Sequence, residues 1–541
     1  MTAPIHIGST KQLFLDDHVV DALDNVVRQF HRPVRCGDAP IIQADRPWER
    51  GGGGVYLFGG TVMYDEEDGH FKMWYRTSLP LETSDTRRSR EPEGGYKACY
   101  AVSDDGIHWE KPSLGQTDFN GSKDNNVLPP AIGGMKQIRR PNLIKDYDDP
   151  DPDRRYKMIY MDNFEGKWAL SKGYSRDGIT WRMNVGTPHV FDPPVAPNGV
   201  LFGWDAKRGE YVHYHRKSGM VPADVDGRLV RKKHAVMRTS SLDFENWGDT
   251  EEALTPSATD PPNWSPSHGV DLAGVLYTDD LYIGTVDSGA TYHVEDFPDH
   301  LWDPFRRHEF AEYRTELVIS RDGVTWHRAA PFWEFMRPGA WGTWDRDHVG
   351  LAKPIVYNDE LFLYYSGSNV PMGSNTPGHP MANVINTVRD GQWMAHAIGL
   401  AKMRLDGFVS IDAYQDGGTL TTKPLVFDGE RLEVNVRAPE RPFGAETTPR
   451  TPYGTISVEI LDDAGRPIEP YSAAHCDAFT GDELRHTVTW NGSPNLSALA
   501  GKVIRLRFHQ RNAALYAFQF VTPGTRQSLA NLLVLGTRGA P

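Results

Sequence analysis

Ser175-Arg176-Asp177-Gly178-Ile179-Thr180-Trp181 decides the fold, because the chain repeats it. Ser103-Asp104-Asp105-Gly106-Ile107-His108-Trp109 comes before it and Ser320-Arg321-Asp322-Gly323-Val324-Thr325-Trp326 after it. Two looser echoes keep the spacing: Ser241-Leu242-Asp243-Phe244-Glu245-Asn246-Trp247 and Arg404-Leu405-Asp406-Gly407-Phe408. Successive copies stand roughly 65 to 85 residues apart, too far for a solenoid and suited to four-stranded propeller blades with inserted loops. Asp-Gly makes a tight turn, since Gly accepts a positive φ and Asp bonds its own backbone. The apolar residue and Trp that follow open the next strand, and the ring packs between sheets. Five turns of one kind predict five blades.

The flanks carry the same reading. A run at Val55-Tyr56-Leu57-Phe58, an acidic turn at Asp65-Glu66-Glu67-Asp68-Gly69, a run at Phe71-Lys72-Met73-Trp74-Tyr75 and another at Tyr96-Lys97-Ala98-Cys99-Tyr100 lead into the first phrase. That order, strand, turn, strand, loop, strand, Asp-Gly turn, is what a blade needs. It returns around 141–174, 200–215, 273–285 and 352–365, with little sustained helical periodicity anywhere. From 417 onward the phrase is absent, and short alternating strands such as Leu432-Glu433-Val434-Asn435-Val436 and Thr455-Ile456-Ser457-Val458-Glu459-Ile460 take over. The expected organisation is all-β: an N-terminal ring-closing segment over 1–24, drawn from the run 12–20, a five-bladed β-propeller over 25–410, and a C-terminal β-sandwich over 411–541 that caps the propeller or binds sugar.

Composition limits the partners. The 541 residues exceed one ordinary core, and 15 Trp, 22 Tyr and 22 Phe supply packed sheets. A net charge of −14 argues against nucleic acid and anionic membranes, and reduces the basic run Arg228-Leu229-Val230-Arg231-Lys232-Lys233 to a solvated edge. Cys36, Cys99 and Cys476 have neither metal-site nor disulfide-framework spacing. The start lacks signal-peptide features and no apolar run suits a membrane span, so a cytoplasmic protein without cofactor or metal, monomeric or oligomeric, is expected.

A five-unit propeller followed by a sandwich resembles the β-fructofuranosidase (invertase and fructanase) families of glycoside hydrolases, and the propeller alone resembles arabinanases and β-xylosidases. The resemblance spans nearly the whole chain as architecture. It implies cleavage of a glycosidic bond in a small saccharide or furanoside. The invertase nucleophile motif Trp-Met-Asn-Asp-Pro-Asn-Gly is absent, its Glu-Cys acid motif is missing, and Arg139-Arg140-Pro141-Asn142 stands where those families have Arg-Asp-Pro. The repeated phrase is also similar to the Asp-box of sialidases, where it marks fold and not chemistry.

In a propeller, residues just before each innermost strand converge on the channel mouth. Glycosidic cleavage asks for two carboxyl groups there, one protonated and one ionised. Asp347, then Asp271, then Glu49 are the candidates for that pair. Trp48, Arg140, Asn142, Asp192, His268, Trp344, Asp345 and His348 are the candidate substrate contacts, since rings stack on sugar C–H faces and Arg, Asn, Asp and His bond hydroxyls. Each also has an ordinary structural role available: turn-former, blade packing, or a salt bridge. Long loops at 77–93, 290–307 and 369–392 would wall the mouth into a pocket, which favours exo action. Two other classes fit the same residues: a non-catalytic sugar-binding propeller, and a lyase acting on a uronate through an Arg-rich mouth.

Overall fold

Each repeated phrase turns the chain with its own aspartate. In the computed structural model Asp105 Oδ1 accepts the backbone N–H groups of Ile107 and His108, both at 2.8 Å. Asp177, Asp243 and Asp322 do the same at 2.8 Å with the residues two and three further on. The residue after the aspartate has φ of 74°, 74°, 65° and 71° at Gly106, Gly178, Phe244 and Gly323, so Phe244 bears the strain that glycine avoids elsewhere. The indoles of Trp109, Trp181 and Trp247 donate back to that residue's carbonyl at 3.2, 3.0 and 3.1 Å. The fifth echo folds differently. There Asp406 itself has φ of 62°, and its carboxylate pairs with Lys11 at 2.9 Å. The expectation of five equivalent turns is corrected to four, because Asp406 is a partner for Lys11 and not a loop-closing acceptor.

The structure describes residues 3–78, 96–129, 138–164, 167–183, 189–191, 199–216, 221–225, 228–233, 235–255, 264–265, 271–278, 281–292, 310–369, 388–389, 392–393, 396–439, 453–524 and 538. These are strands, turns and two short 3₁₀ turns, with no α-helix among them. The chain separates into two compact units, one of Pro33–Tyr277 with Leu281–Lys402 and the C-terminal Leu533–Pro541, the other of Met1–Arg32 with Thr278–Asp280 and Met403–Leu532.

The larger unit holds five antiparallel meanders in chain order. The strands Gly51–Asp65, His70–Ser78 and Tyr96–Ser103 make the first, and Arg139–Lys145, Tyr156–Phe164, Lys167–Ser175 and Arg182–Met183 the second. Gly199–Asp205, Glu210–Arg216, Val236–Ser241 and Glu251–Leu254 form the third, and Asp271–Thr278, Leu281–Tyr292, Phe310–Ser320 and His327–Arg328 belong to the fourth, where the first two both pair. His348–Leu351, Glu360–Ser368 and His396–Arg404 form the fifth. Val34–Arg35 adds a strand to the fifth by pairing with Ala401 and Lys402. The run 12–20, expected to close the ring, goes elsewhere: Gln12–Leu13 pairs with Phe518 and Ala517, and Val20–Asp24 with the strand Gly418–Thr422. Phe14, Leu15 and Val19 are buried, which fixes that segment in the smaller unit.

The first meander shares a core with the fifth and another with the second, the second shares one with the third, and the third with the fourth. Phe71 and Tyr75 meet Phe362 and Tyr364; Trp74 meets Tyr156 and Trp181; Ile159 meets Phe202 and Phe244; Tyr214 meets Tyr282 and Trp326. Burying a ring such as Phe71 or Phe202 is worth about 1.5–3 kcal/mol. Two polar devices repeat between sheets. An aromatic of one sheet caps the phrase carbonyl of another: Tyr364 donates to Gly106 at 2.8 Å, Trp74 to Gly178 at 2.6 Å, and Tyr214 to Gly323. An aspartate ending or following an inner strand also takes a tyrosine hydroxyl from the next sheet. Asp65 accepts from Tyr156 at 2.8 Å, Asp146 from Tyr211, and Asp205 from Tyr282 at 2.8 Å.

The smaller unit has two antiparallel sheets. In one, Gly481–Thr487, Arg431–Ala438, Ala513–Val521, Val409–Ala413 and Val26–Phe30 are neighbours in that order; in the other, Val20–Asp24, Gly418–Thr422, Arg505–Arg511 and Thr455–Leu461. Phe508 of the second sheet meets Phe518 of the first at 5.6 Å between ring centres. The alternation read in 431–436 and 455–460 holds over 431–434 and 455–458, beyond which Asn435 and Glu459 are buried as well.

Candidate functional site

Polar groups gather near the starts of the strands Gly51–Asp65, Arg139–Lys145, His348–Leu351 and His396–Arg404. Arg140 lies in the strand Arg139–Lys145 with φ of 62°, a strained conformation for a residue with a side chain. It fits because position 59 is glycine. A Cβ there would lie 2.7 Å from the Arg140 Cβ. The guanidinium then rests 4.5 Å from the Phe58 ring centre. Phe58, His348 and Asp287 converge on Gly350, where an added Cβ would meet Asp287 Oδ2 at 3.0 Å and His348 and Phe58 at 3.4 Å. Asp287 is buried and accepts the Thr315 hydroxyl at 3.1 Å. Burial brings the His348 imidazole down to about 4, so it is neutral near pH 7.

Next to these lies a second group. His396 stacks on Tyr56 at 4.2 Å, and the Arg76 guanidinium lies 4.2 Å from the centre of the same ring. Arg76 also faces Tyr96 at 5.0 Å, and Arg139 faces Tyr96 at 4.8 Å. Burial, then the charges of His348 and Arg76, hold the His396 imidazole well below its ordinary value. Burial, then the charge of Arg139, lowers the Arg76 guanidinium, and burial raises the Tyr56 hydroxyl. Among the described residues no group of three or more His, Cys, Asp or Glu side chains is placed to hold a metal.

The residues singled out in the sequence fall in several places. His348 and Arg140 join this group. Asn142 is buried nearby and donates to the Gly59 carbonyl at 3.0 Å, tying two inner strands together. Asp347 precedes His348, is about one quarter exposed, and accepts from Arg346 at 2.8 Å. Asp345 is buried and accepts from Arg35 at 2.7 Å, Thr343 at 2.9 Å and Tyr365 at 3.1 Å. Trp344 is buried and stacks on Tyr365 at 5.4 Å, leaving no face for a ligand.

Glu49 lies on the 3₁₀ turn Pro47–Glu49 with no exposed surface, and accepts from Tyr75 at 2.6 Å and Lys111 at 2.7 Å. Burial pushes its carboxyl up against the pull of Lys111. That enclosure ties the turn to Tyr75 and Lys111. Trp48 beside it donates to Asn126 at 2.8 Å and packs edge-on to Phe119. Asp271 begins the strand Asp271–Thr278, but its side chain lies outside the described residues, as do Asp192 and His268 altogether. Most of the three loops expected to wall the mouth also lies outside them.

Sequence reasoning missed Arg76, His396, Asp287 and Trp341. Trp341 is 89 % exposed, with the Arg346 guanidinium 4.3 Å from its ring centre. Asp287 had a signal: an acid at the end of the apolar run Leu281-Tyr282-Ile283-Gly284-Thr285-Val286.

No family model and no curated protein matches the chain. Solved structures do. A β-1,2-mannobiose phosphorylase from Listeria innocua aligns with TM-score 0.44 and 15 % identity over 70 % of this chain and 98 % of that one. An N-acetylgalactosamine deacetylase from F. plautii aligns with TM-score 0.41 and 15 % identity over 72 % and 97 %. The catalytic domain of a Coprinopsis cinerea α-L-arabinofuranosidase gives 0.38 and 12 % over 69 % and 97 %. At these TM-scores the likeness carries no argument, and the chemistry rests on this chain's own residues.

Proposed function

We propose that the chain is a carbohydrate-active hydrolase or transglycosidase, built as a five-bladed propeller with a C-terminal sandwich, that takes a small saccharide or furanoside at the starts of its inner strands. One observation carries the reading: the run 341–348 presents an exposed indole, a guanidinium stacked on it at 4.3 Å, and a carboxylate bound to that guanidinium at 2.8 Å. An exposed ring beside charged hydrogen-bonding groups suits the apolar face and hydroxyl rim of a sugar. Asp347 supplies one carboxylate and Asp271 the other. One protonates the glycosidic oxygen as its bond to the anomeric carbon breaks; the other attacks that carbon or takes a proton from the incoming water. Asp287 is the competitor for either role, because it lies at Gly350 with His348 and Phe58. Action from chain ends belongs to the same proposal.

The test is hydrolysis of nitrophenyl furanosides and pyranosides and of fructo- and arabino-oligosaccharides by wild type, Asp347→Asn, Asp271→Asn and Asp287→Asn. Activity on one sugar, reduced about 10³-fold in a folded Asp347→Asn or Asp271→Asn, is the expected result. Loss only in Asp287→Asn reassigns the carboxylate; preference for polymer interiors overturns exo action. A second reading has its own support. The Arg346–Asp347 ion pair neutralises the leading carboxylate, which favours a propeller that binds sugar without cleaving it. Calorimetric binding with no turnover on any substrate would select that reading.

A further inference from the structure

We propose that Arg76, Arg139 and His396, set around Tyr56 and Tyr96, form a subsite for an anionic group, borne as a carboxylate by an acidic sugar or supplied as inorganic phosphate. The inference rests on the reading above that the starts of the inner strands are the ligand site, and it names the chemical class bound there.

The argument begins with Arg76. Its side chain is more than nine-tenths buried, in the second strand of the first meander opposite Tyr56. Nε has no hydrogen-bond partner, and no carboxylate among the described residues acts on the guanidinium. What surrounds it is aromatic: Tyr56 at 4.2 Å and Tyr96 at 5.0 Å. A second cation, Arg139, shares the Tyr96 ring at 4.8 Å. Ring faces soften the burial of a cation but do not replace an anion. Two guanidinium groups on one ring raise the local positive potential further. His396, equally buried, lies on the other aromatic of the pair at 4.2 Å, and its Nδ1 also lacks a hydrogen-bond partner. Folding alone gains nothing from a buried, unpaired arginine beside a second arginine. An incoming anion with two or three acceptor oxygens would satisfy the Arg76 fork and, as a neutral donor, His396, with the Arg139 charge close by.

Elsewhere in the same unit several buried cations are matched by carboxylates. Lys72 and Lys145 share Asp65 at 2.6 and 2.7 Å, and Lys157 meets Asp146 at 2.8 Å. Arg238 lies between Glu210 and Glu251. Arg76 has no such match among the described residues.

The experiment is calorimetric titration of the full chain with glucuronate, galacturonate, glucose and inorganic phosphate, at low and high ionic strength, using wild type, Arg76→Gln, Arg76→Lys and Arg139→Gln. A uronate bound at least about tenfold more tightly than glucose, weakened about 10- to 100-fold in Arg76→Gln and largely restored in Arg76→Lys, is the expected result and assigns the acidic sugar. The same pattern with phosphate alone assigns phosphate. Arg139→Gln gives the same reading should Arg76→Gln fail to fold. The proposal falls if no anion binds more tightly than glucose, or if folded Arg76→Gln and Arg139→Gln bind anions as wild type does. Cleavage of neutral glycosides, lost in Asp347→Asn, without any preference for anions would keep the hydrolase and sink the subsite. Tight uronate binding without cleavage would do the reverse.

Discussion

The strands Gly51–Asp65, Arg139–Lys145 and Gly199–Asp205 end in or just before aspartates that lysines and tyrosines hold, whereas near the starts of the first two lies Arg76, which no carboxylate among the described residues meets. At the finishing end Asp65 takes Lys72, Lys145, Tyr147 and Tyr156, while Asp146 takes Lys157 and Tyr211 and Asp205 takes Tyr282. Burial works to raise the Asp65 carboxyl, and its hydrogen bonds from Lys145, Lys72 and Tyr156 override that and hold it well below its ordinary value. At the starting end Arg76 and His396 keep polar atoms without partners, and Arg140 carries a strained backbone. Charges at the first end hold sheets together. Charges at the second cost stability, which is where function is to be sought.

Breaking the finishing end has the largest effect. Asp65→Ala strands Lys72 and Lys145 as buried charges, and a loss of about 3–5 kcal/mol is expected in denaturant unfolding, with much smaller losses for exposed Asp104→Ala. The two ends also respond differently to pH. His348 has a depressed folded value of about 4 against an ordinary 6.5, so the unfolded chain binds its proton first. The stability it allows is complete above about pH 6.5 and is lost as pH falls toward 4. His348→Phe should flatten that part of a melting-temperature profile by an amount worth up to a few kcal/mol, while Asp65 holds its charge throughout the window.

Gly178→Ala tests the turns that both ends depend on. The φ of 74° and a Cβ that would lie 2.7 Å from Trp74 predict a loss of about 1–3 kcal/mol in thermal unfolding. The smallest expected effect has the opposite sign. Arg76→Met removes an unmatched cation and should raise stability by on the order of 1 kcal/mol, where Lys145→Met must lower it. A fall in the melting temperature of Arg76→Met would remove the contrast between the ends.

Much of this could be read along the chain, and what could not has definite causes. The four Ser-x-Asp turns were legible because their bonds run between residues two or three apart, and the strands because their alternation is local. The fifth echo misled, since Asp406 is engaged by Lys11, 395 positions away. Glu49 was a candidate beside Trp48, and its enclosure by Lys111 and Tyr75 was not legible because both lie far along the chain from it. The acidic turn at 65–69 did not show which of its acids is buried: Asp65 lies inside and Asp68 is partly exposed. Arg76 gave no signal at all, because the lack of a partner is a property of the folded neighbourhood and not of the sequence around it.

The most direct test is hydrogen–deuterium exchange of the full chain, free and with galacturonate or inorganic phosphate. Ligand-dependent protection in peptides covering 51–59, 74–78, 139–142 and 396–400, with 65–72, 146–157 and 205–211 unchanged, is the predicted result. Protection confined to the aspartate end or to the smaller unit, or exchange unaffected by either ligand, would contradict the assignment of the site to the starts of the inner strands.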